Sequence, residues 1–223
     1  TYADLHDLIG RYYPDFGEVI RRLGSTQIRN VETMGGNVAN GSPIGDSPPP
    51  LIALGATLVL RSKAGRREMP LEDYFIAYGK QDRRPGEFVE LIKLLLPQAG
   101  WEFRCYKISK RFDQDITAAL GAFNLKVRDG VVEDIRIAFG GMAATPRRSL
   151  ACETACKGNL WSRATVADAQ RALRQDFSPI GDMRASNTYR GLVAENLLLK
   201  FFIETSEPNA ETRVVDGKRQ AHG

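Results

Sequence analysis

Histidine, cysteine and long apolar runs are scarce in this chain of 223 residues, and each scarcity excludes a kind of site or a class of protein. The two histidines, His6 and His222, stand near opposite ends, so no Ser-His-Asp or Cys-His arrangement has a central base. Three cysteines, an odd number, argue against a disulfide framework, and with two histidines they supply no zinc or iron–sulfur ligand set. We therefore expect no catalytic side chain and no metal site.

The chain also lacks the signals of membrane and nucleic-acid binding. No apolar run reaches the length that crosses a membrane, and the first residues do not resemble a signal or transit peptide. The 31 basic residues are dispersed among 27 acidic ones, giving a net charge of +4, and no basic stripe is interleaved with aromatic residues. We expect a cytoplasmic protein that binds neither nucleic acid nor membranes.

The segment 25–48 is what the chain has in abundance, since it is rich in glycine, asparagine and hydroxyl residues. The adjacent Gly35 and Gly36 have no side chains to cover their backbone N–H groups, so a ligand can approach the main chain closely. The composition predicts a segment that is mostly neither helix nor strand. A structural turn is compatible with the same Gly-Gly-Asn, and the absence of G-x-G-x-x-G excludes the Rossmann fingerprint.

Hydrophobic periodicity predicts the elements of the first half. Apolar residues at i, i+3, i+4 and i+7 predict a helix over 5–12 and a second helix after Pro14. Residues 57–60 predict a strand that pairs with 66–71, and the apolar run 89–96 predicts another strand ended by a proline.

The segment 97–100, PQAG, is predicted to separate two domains. Beyond it, two alternating runs flank Asp129 and Gly130, a strong hairpin signal. Helices are predicted for 162–174 and 187–204, which back a three-stranded antiparallel sheet in an α+β fold. The predicted division is a first domain at 1–99, a second at 100–204 and a disordered polar tail at 205–223. The arginines of MRASNTYR, Arg184 and Arg190, are predicted to fix the start of the last helix, with Asp182 and Ser186 as capping groups.

Four segments resemble, in the same order, motifs of the FAD-binding small subunits of bacterial xanthine dehydrogenases in the molybdenum hydroxylase family. They are STQIRNVETMGGNVANGSPIGDSP at 25–48, CYKISKRFDQDI at 105–116, AFGGMAATPR at 138–147 and FSPIGDMRASNTYR at 177–190. The resemblance covers nearly all of the chain before the tail. It implies a partial FAD-binding lobe of the PCMH (vanillyl-alcohol-oxidase-like) type, followed by a domain like the C-terminal domain of carbon monoxide dehydrogenase flavoproteins.

The resemblance also implies a cofactor site at the glycine-rich segment. It places Thr33, Met34, Gly35, Gly36 and Asn37 against the FAD diphosphate and its neighbours. Glycine amides, a hydroxyl group and a carboxamide are suitable donors for an anion, and Met34 would contribute through its backbone.

Three further FAD contacts follow from the resemblance: Asp46, Leu91 and Lys107. A carboxylate suits sugar hydroxyl groups, a leucine packs on the cofactor, and an ammonium group would stabilise negative charge on the flavin ring. From the residues alone, Asp46 is also typical of a turn cap before prolines, and Lys107 of a lysine on an exposed strand face.

The charged loop 110–115 lies, in relatives, beside the flavin where the nicotinamide is thought to approach. Lys110 or Arg111 would then meet an NAD phosphate, whereas the alternating charges also suit a self-paired surface loop. Gln114 stands where vertebrate relatives carry an acid that influences the field around their flavin, so the charge at this position of the loop differs from theirs.

In function, the resemblance implies a FAD-dependent component of xanthine dehydrogenase. Purines are hydroxylated at a molybdopterin cofactor on a large partner subunit, and electrons pass through 2Fe-2S clusters and FAD to NAD. The family's iron–sulfur domain and first FAD lobe have no match in the chain, so we expect them on other segments or another chain. The alternatives are the flavoprotein subunit of a carbon monoxide dehydrogenase or aldehyde oxidoreductase, and a scaffold that cannot hold FAD alone.

Overall fold

A computed structural model describes residues 1–207 and 209–213 of the chain. Five helices come first: α1 (Tyr2–Tyr12), α2 (Pro14–Arg21), α3 (Thr26–Val31), α4 (Met34–Asn40) and α5 (Pro48–Ala53). The two predicted amphipathic helices are α1 and α2, and Pro14 occupies the first turn of α2 as predicted. Among the residues that the structure describes, no helix is long and apolar enough to cross a membrane.

The glycine-rich segment 25–48 is largely helical, so the prediction that it is mostly neither helix nor strand is wrong. Ser25 caps α3, and Thr33 caps α4 by accepting a hydrogen bond from the Gly36 amide at 2.9 Å. Gly41 ends α4 in the left-handed region, with φ at 63°. Side-chain caps at the N-termini of α3 and α4, together with the buried apolar side chains of α4, compensate for the low helix propensity of glycine.

A three-stranded antiparallel sheet follows, with strand order β2-β1-β5. Its strands are β1 (Thr57–Ser62), β2 (Gly65–Pro70) and β5 (Phe88–Lys93). The three strands predicted in this half are confirmed, but β5 ends at Lys93 and does not extend to the proline as predicted. Between β2 and β5 lie a short 3₁₀ helix (Leu71–Tyr74) and a two-stranded ribbon of β3 (Phe75–Ala77) and β4 (Lys80–Gln81).

The second sheet is antiparallel with strand order β6-β7-β8-β9, one short strand more than the three predicted. Its strands are β6 (Trp101–Ile108), β7 (Ala119–Arg128), β8 (Val131–Gly140) and β9 (Arg147–Arg148), and its helices are α6 (Leu150–Cys156), α7 (Arg163–Asp176) and α8 (Asn187–Ser206). Asp129 and Gly130 both have positive φ, 53° and 78°, as a tight hairpin turn requires. The predicted hairpin and α+β fold are confirmed.

Two cores lie on opposite sides of this second sheet. On one side, α1, α2, α4 and α5 pack with the first sheet against Leu120, Ala122 and Ala138. On the other side, α6, α7 and α8 cover an aromatic cluster in which Phe123 stacks on Phe201 with ring centroids 5.0 Å apart. The sheet therefore connects the two halves of the chain through shared packing.

The start of α8 is fixed by a buried arginine, as predicted. Ser186 caps the helix, and the side chain of Arg190 is only 2% exposed. Its guanidinium donates to Asp182 at 2.8 Å and to the carbonyl oxygens of Ala118 and Gly141. These contacts anchor the helix to the sheet, which supports a structural role for this arginine.

The predicted disordered tail is wrong for its first residues. Thr205 and Ser206 are the last residues of α8, and Arg213 donates to both Asp15 on α2 and Glu204 on α8. The rest of that prediction, Pro208 and 214–223, lies outside the described residues.

Candidate functional site

The first turn of α4 presents bare backbone donors. The Thr33 hydroxyl already accepts from the Gly36 amide, whereas helix geometry leaves the amides of Met34 and Gly35 without an intrahelical acceptor. The Met34 side chain is buried in the core at 7% exposure, so only its backbone is available to a ligand. This turn is therefore a donor surface formed almost wholly by main chain.

The two glycines of this turn differ in what a side chain would meet. A Cβ atom at Gly35 would lie 3.5 Å from the Val89 side chain, an ordinary contact, while one at Gly36 would lie 3.0 Å from the Thr33 hydroxyl oxygen. A substitution at Gly36 therefore presses on the helix cap, and one at Gly35 disturbs little within the chain itself.

Leu91 lies on the other face of the first sheet. It pairs with Val59 on β1 while Val89 pairs with Leu60, because a bulge shifts the register between them. Val59 and Leu60 are adjacent on β1 and therefore point to opposite faces of the sheet. Their partners Leu91 and Val89 consequently also lie on opposite faces, although two residues of a regular strand at this spacing would share one face. Leu91 is 48% exposed, and the structure does not bring it to the Gly35 side of the sheet.

Asn37 connects the glycine turn to the next part of the site. Its amide group donates to Glu32 at 3.0 Å, whereas its Oδ1 atom is buried without a hydrogen-bond partner among the described residues. A Cβ atom at Gly45 would lie 3.3 Å from this oxygen. A buried acceptor is costly to leave unpaired, so this oxygen is a candidate contact for a ligand donor.

Asp46 and Lys107 form a buried ion pair across the two halves of the chain. Lys107 Nζ lies 2.5 Å from Asp46 Oδ2, and the side chains are 2% and 8% exposed. The other carboxylate oxygen of Asp46 accepts from the Thr117 hydroxyl group. Lys107 is therefore buried and does not lie on an exposed strand face. The Asp46 carboxylate binds side chains of the second half of the chain, so it is not merely a turn cap before the prolines.

Three hydroxyl residues at this site were not predicted: Thr117, Ser47 and Tyr2. The Tyr2 hydroxyl lies 2.6 Å from Ser47 Oγ, next to Asp46, and burial raises the pKa of Tyr2. Thr117 directly follows the motif KRFDQDI and Ser47 directly follows Asp46, so adjacency to a motif was an available signal for both. Nothing in the sequence pattern indicated Tyr2.

The charged loop 110–115 is held by contacts within the chain. Arg22, the residue directly after α2, donates to the carbonyl oxygens of Phe112 at 2.7 Å and Lys107 at 3.0 Å. The Arg111 amide and then its guanidinium lower the pKa of Asp115 to about 2. The structure thus favours the self-paired interpretation for this part of the loop.

The other basic residue of the loop is also engaged, because Lys110 donates to the Met183 carbonyl oxygen at 2.7 Å. Lys110 is thus held within the chain.

Two open grooves of the structure, of about 490 and 390 Å³, are lined by none of the eight residues that the sequence predicted to contact FAD. Within residues 1–207 and 209–213 no group of three His, Cys, Asp or Glu side chains is placed to hold a metal ion. The polar junction of Asn37, Asp46 and Lys107 is therefore the candidate site.

Comparison with known proteins gives this geometry a context. Residues 1–98 match the FAD binding domain in molybdopterin dehydrogenase, and residues 104–205 match the CO dehydrogenase flavoprotein C-terminal domain. The chain is 30% identical over 207 residues to the glyceraldehyde dehydrogenase medium chain of Sulfolobus acidocaldarius, covering 92% of this chain and 73% of that one. It is 31% identical over 198 residues to xanthine dehydrogenase of Oryza sativa, covering 83% of this chain but only 14% of the rice protein.

Solved structures agree with the fold. Reconstituted CO dehydrogenase from Oligotropha carboxidovorans superimposes with a TM-score of 0.84 at 25% identity, covering 94% of this chain and 73% of that one. The xanthine dehydrogenase FAD-binding subunit of Escherichia coli O157:H7 is 27% identical, covering 87% of this chain and 67% of the subunit. The chain belongs to the FAD-binding flavoprotein subunits of the molybdenum hydroxylase family.

Proposed function

We propose that this chain holds FAD in an oxidoreductase of the xanthine dehydrogenase type. Electrons released by purine hydroxylation at a molybdopterin-bearing partner subunit would reach FAD through 2Fe-2S clusters on other segments, with NAD as the acceptor. The observation that carries the proposal is the junction of two distant motif segments, 25–48 and 105–116, where Asn37 lies beside Gly45 and the adjacent Asp46 binds Lys107. Xanthine dehydrogenases of rice and Escherichia coli among the relatives support the substrate class.

The donor set at this junction fits a dinucleotide. The amides of Met34 and Gly35 are suitable donors for diphosphate oxygens, and Asn37 Oδ1 is a buried acceptor without a partner among the described residues. Bound FAD supplies hydride chemistry, while the protein supplies binding and orientation.

Lys107 has donors to spare for this purpose. An ammonium group has three N–H donors, and the described residues offer Lys107 Nζ one acceptor, Asp46. Its remaining N–H groups and its charge would stabilise negative charge on the flavin ring, in a site shielded from water. Asp46 would hold that charge in place, and its oxygens retain lone pairs for sugar hydroxyl groups.

A second candidate is the FAD-holding subunit of an aldehyde oxidoreductase, favoured by the 30% identity to the glyceraldehyde dehydrogenase medium chain. The two are distinguished by assaying the intact assembly with xanthine and with glyceraldehyde, each with NAD and with an artificial dye. Dye reduction by xanthine together with NAD reduction supports the first candidate. Turnover of glyceraldehyde alone supports the second.

Gly35→Ala in the intact assembly tests the cofactor site. The chain accommodates the added methyl group at an ordinary distance from Val89, and alanine favours a helix over glycine by about 1 kcal/mol. If FAD approaches this backbone, we expect its affinity to fall at least about tenfold while the thermal midpoint of the apo form stays or rises. The measurements are flavin absorbance per assembly and fluorescence titration with FAD.

Gly191→Ala is the matched control, because a Cβ atom at Gly191 on α8 would meet nothing within 4 Å. It makes the same chemical change in a helix away from the site, so it should leave the FAD affinity unaltered. Equal FAD affinity in Gly35→Ala and the control would move the cofactor away from this turn. An assembly that lacks flavin altogether would favour the scaffold alternative.

A further inference from the structure

Thr117 is a buried hydroxyl residue in direct contact with the ion pair. Its side chain donates to Asp46 Oδ1, the oxygen that does not bind Lys107, and the residue is 1% exposed. It lies between the charged loop 110–115 and β7, so the contact joins the second half of the chain to the segment SPIGD of the first half.

The backbone next to Thr117 is fixed from two directions. The Ala118 amide donates to the Ile108 carbonyl oxygen at 2.8 Å, and the Ala118 carbonyl oxygen accepts from Arg190. Arg190 is itself held by Asp182. The hydroxyl group of Thr117 is therefore presented from a rigid position, as a positioning group requires.

We propose that Thr117 is a positioning residue for the flavin site, which orients the Asp46 carboxylate and through it the ammonium group of Lys107. The inference rests on the proposed FAD site. The terminal torsion of an aspartate is broad, and a lysine side chain is long and flexible, so neither group orients itself. With one oxygen held by Thr117, the carboxylate presents the other oxygen to Lys107 in one direction.

Thr117→Val and Thr117→Ser in the FAD-loaded assembly test this inference. Valine keeps the shape and removes the hydroxyl group, whereas serine keeps the hydroxyl group. Because Asp46 and Lys107 would lose their fixed orientation toward the cofactor, we expect Thr117→Val to weaken FAD binding about tenfold or more. It should also shift the visible absorbance bands of bound flavin, because Lys107 no longer has one orientation. Thr117→Ser should stay within about twofold of the wild type and keep its spectrum.

Thr117→Cys covers the case in which the valine variant does not fold, since a thiol is a weak donor of similar size. An intermediate loss of FAD affinity supports the inference. A valine variant with lower thermal stability but unchanged FAD affinity and spectrum would show a merely structural role. Equal losses in the serine and valine variants would also overturn the inference, because they would assign the effect to shape. A wild-type assembly without flavin would overturn the proposed function and this inference together.

Discussion

At the scale of single residues, the burial of the Asp46–Lys107 ion pair costs free energy, and this cost needs a physical reason. Removing two charges from water costs several kcal/mol per ion, and their attraction does not reliably exceed that cost, so a buried pair is weak evidence for stability. Both side chains are nevertheless almost fully buried here, 8% and 2% exposed. Keeping a positive charge at the proposed flavin site is a physical reason for such a pair.

A double-mutant cycle separates the pair's energetic and cofactor roles. Lys107→Met or Asp46→Asn alone leaves an uncompensated buried charge, so we expect each to lower the free energy of unfolding by about 3–5 kcal/mol. The double variant should lose much less, because no unpaired charge remains, yet it should bind FAD poorly. Urea unfolding of the apo protein and an FAD titration are the two measurements. Additive losses in the double variant would contradict the coupling.

At the scale of elements, strands were easier to predict than the glycine-rich helices. The hairpin of β7 and β8 follows from alternation of apolar residues around Asp129 and Gly130, a purely local signal. In 25–48, by contrast, two adjacent glycines lower helix propensity, and buried Met34 and Val38 overcome it through tertiary packing. Such packing is not visible in a single sequence.

The candidate site shows the same limit. Motif resemblance indicated Asp46 and Lys107 separately, but their contact joins residues 61 apart, and that of Asp46 with Thr117 joins residues 71 apart. No local pattern reports such a distance. Leu91 was indicated by alignment alone, and a bulge that the sequence does not reveal turned it to the other face of the sheet.

Thr33→Ala tests the cap of α4. Loss of a threonine cap typically costs about 1 kcal/mol of stability, and it frees the Gly36 amide while removing a hydroxyl group from the proposed FAD site. We expect lower stability in urea unfolding together with weaker FAD binding. Ser25→Ala removes the equivalent cap from α3 and should cost a similar amount of stability without changing the FAD affinity. Parallel loss of FAD affinity in both variants would point to general destabilisation.

At the scale of the whole molecule, charged contacts connect the two halves at several places. Glu72, beside the first sheet, binds Arg136 on β8 and Arg148 on β9. Arg213, near the end of the described chain, binds Asp15 on α2 and Glu204 on α8. Like the pair of Asp46 and Lys107, these contacts join the first half of the chain to the second, so the candidate site lies between two halves that other ion pairs also connect.

Arg213→Ala tests this clamp through its dependence on pH. Burial alone would raise the pKa of Glu204, but hydrogen bonds from Arg213, Thr212 and Tyr106 lower it from 4.5 to about 2. A carboxyl group with a lowered pKa in the folded state contributes stability that is present above pH 4.5 and is lost as the pH falls toward 2. Without the guanidinium group that pKa rises, so we expect acid unfolding of Arg213→Ala at a higher pH than in the wild type.

The measurement is an acid titration followed by circular dichroism, with two comparison variants. Arg213→Lys keeps the charge but not the planar fork that meets two carboxylates, so its midpoint should be intermediate. Arg163→Ala removes an arginine whose pair with Glu207 is 64% and 50% exposed, and such exposed pairs contribute little. Its acid curve should coincide with the wild type. If the Arg213→Ala curve coincided as well, the contact of Arg213 with Asp15 and Glu204 would not hold the two halves together in solution.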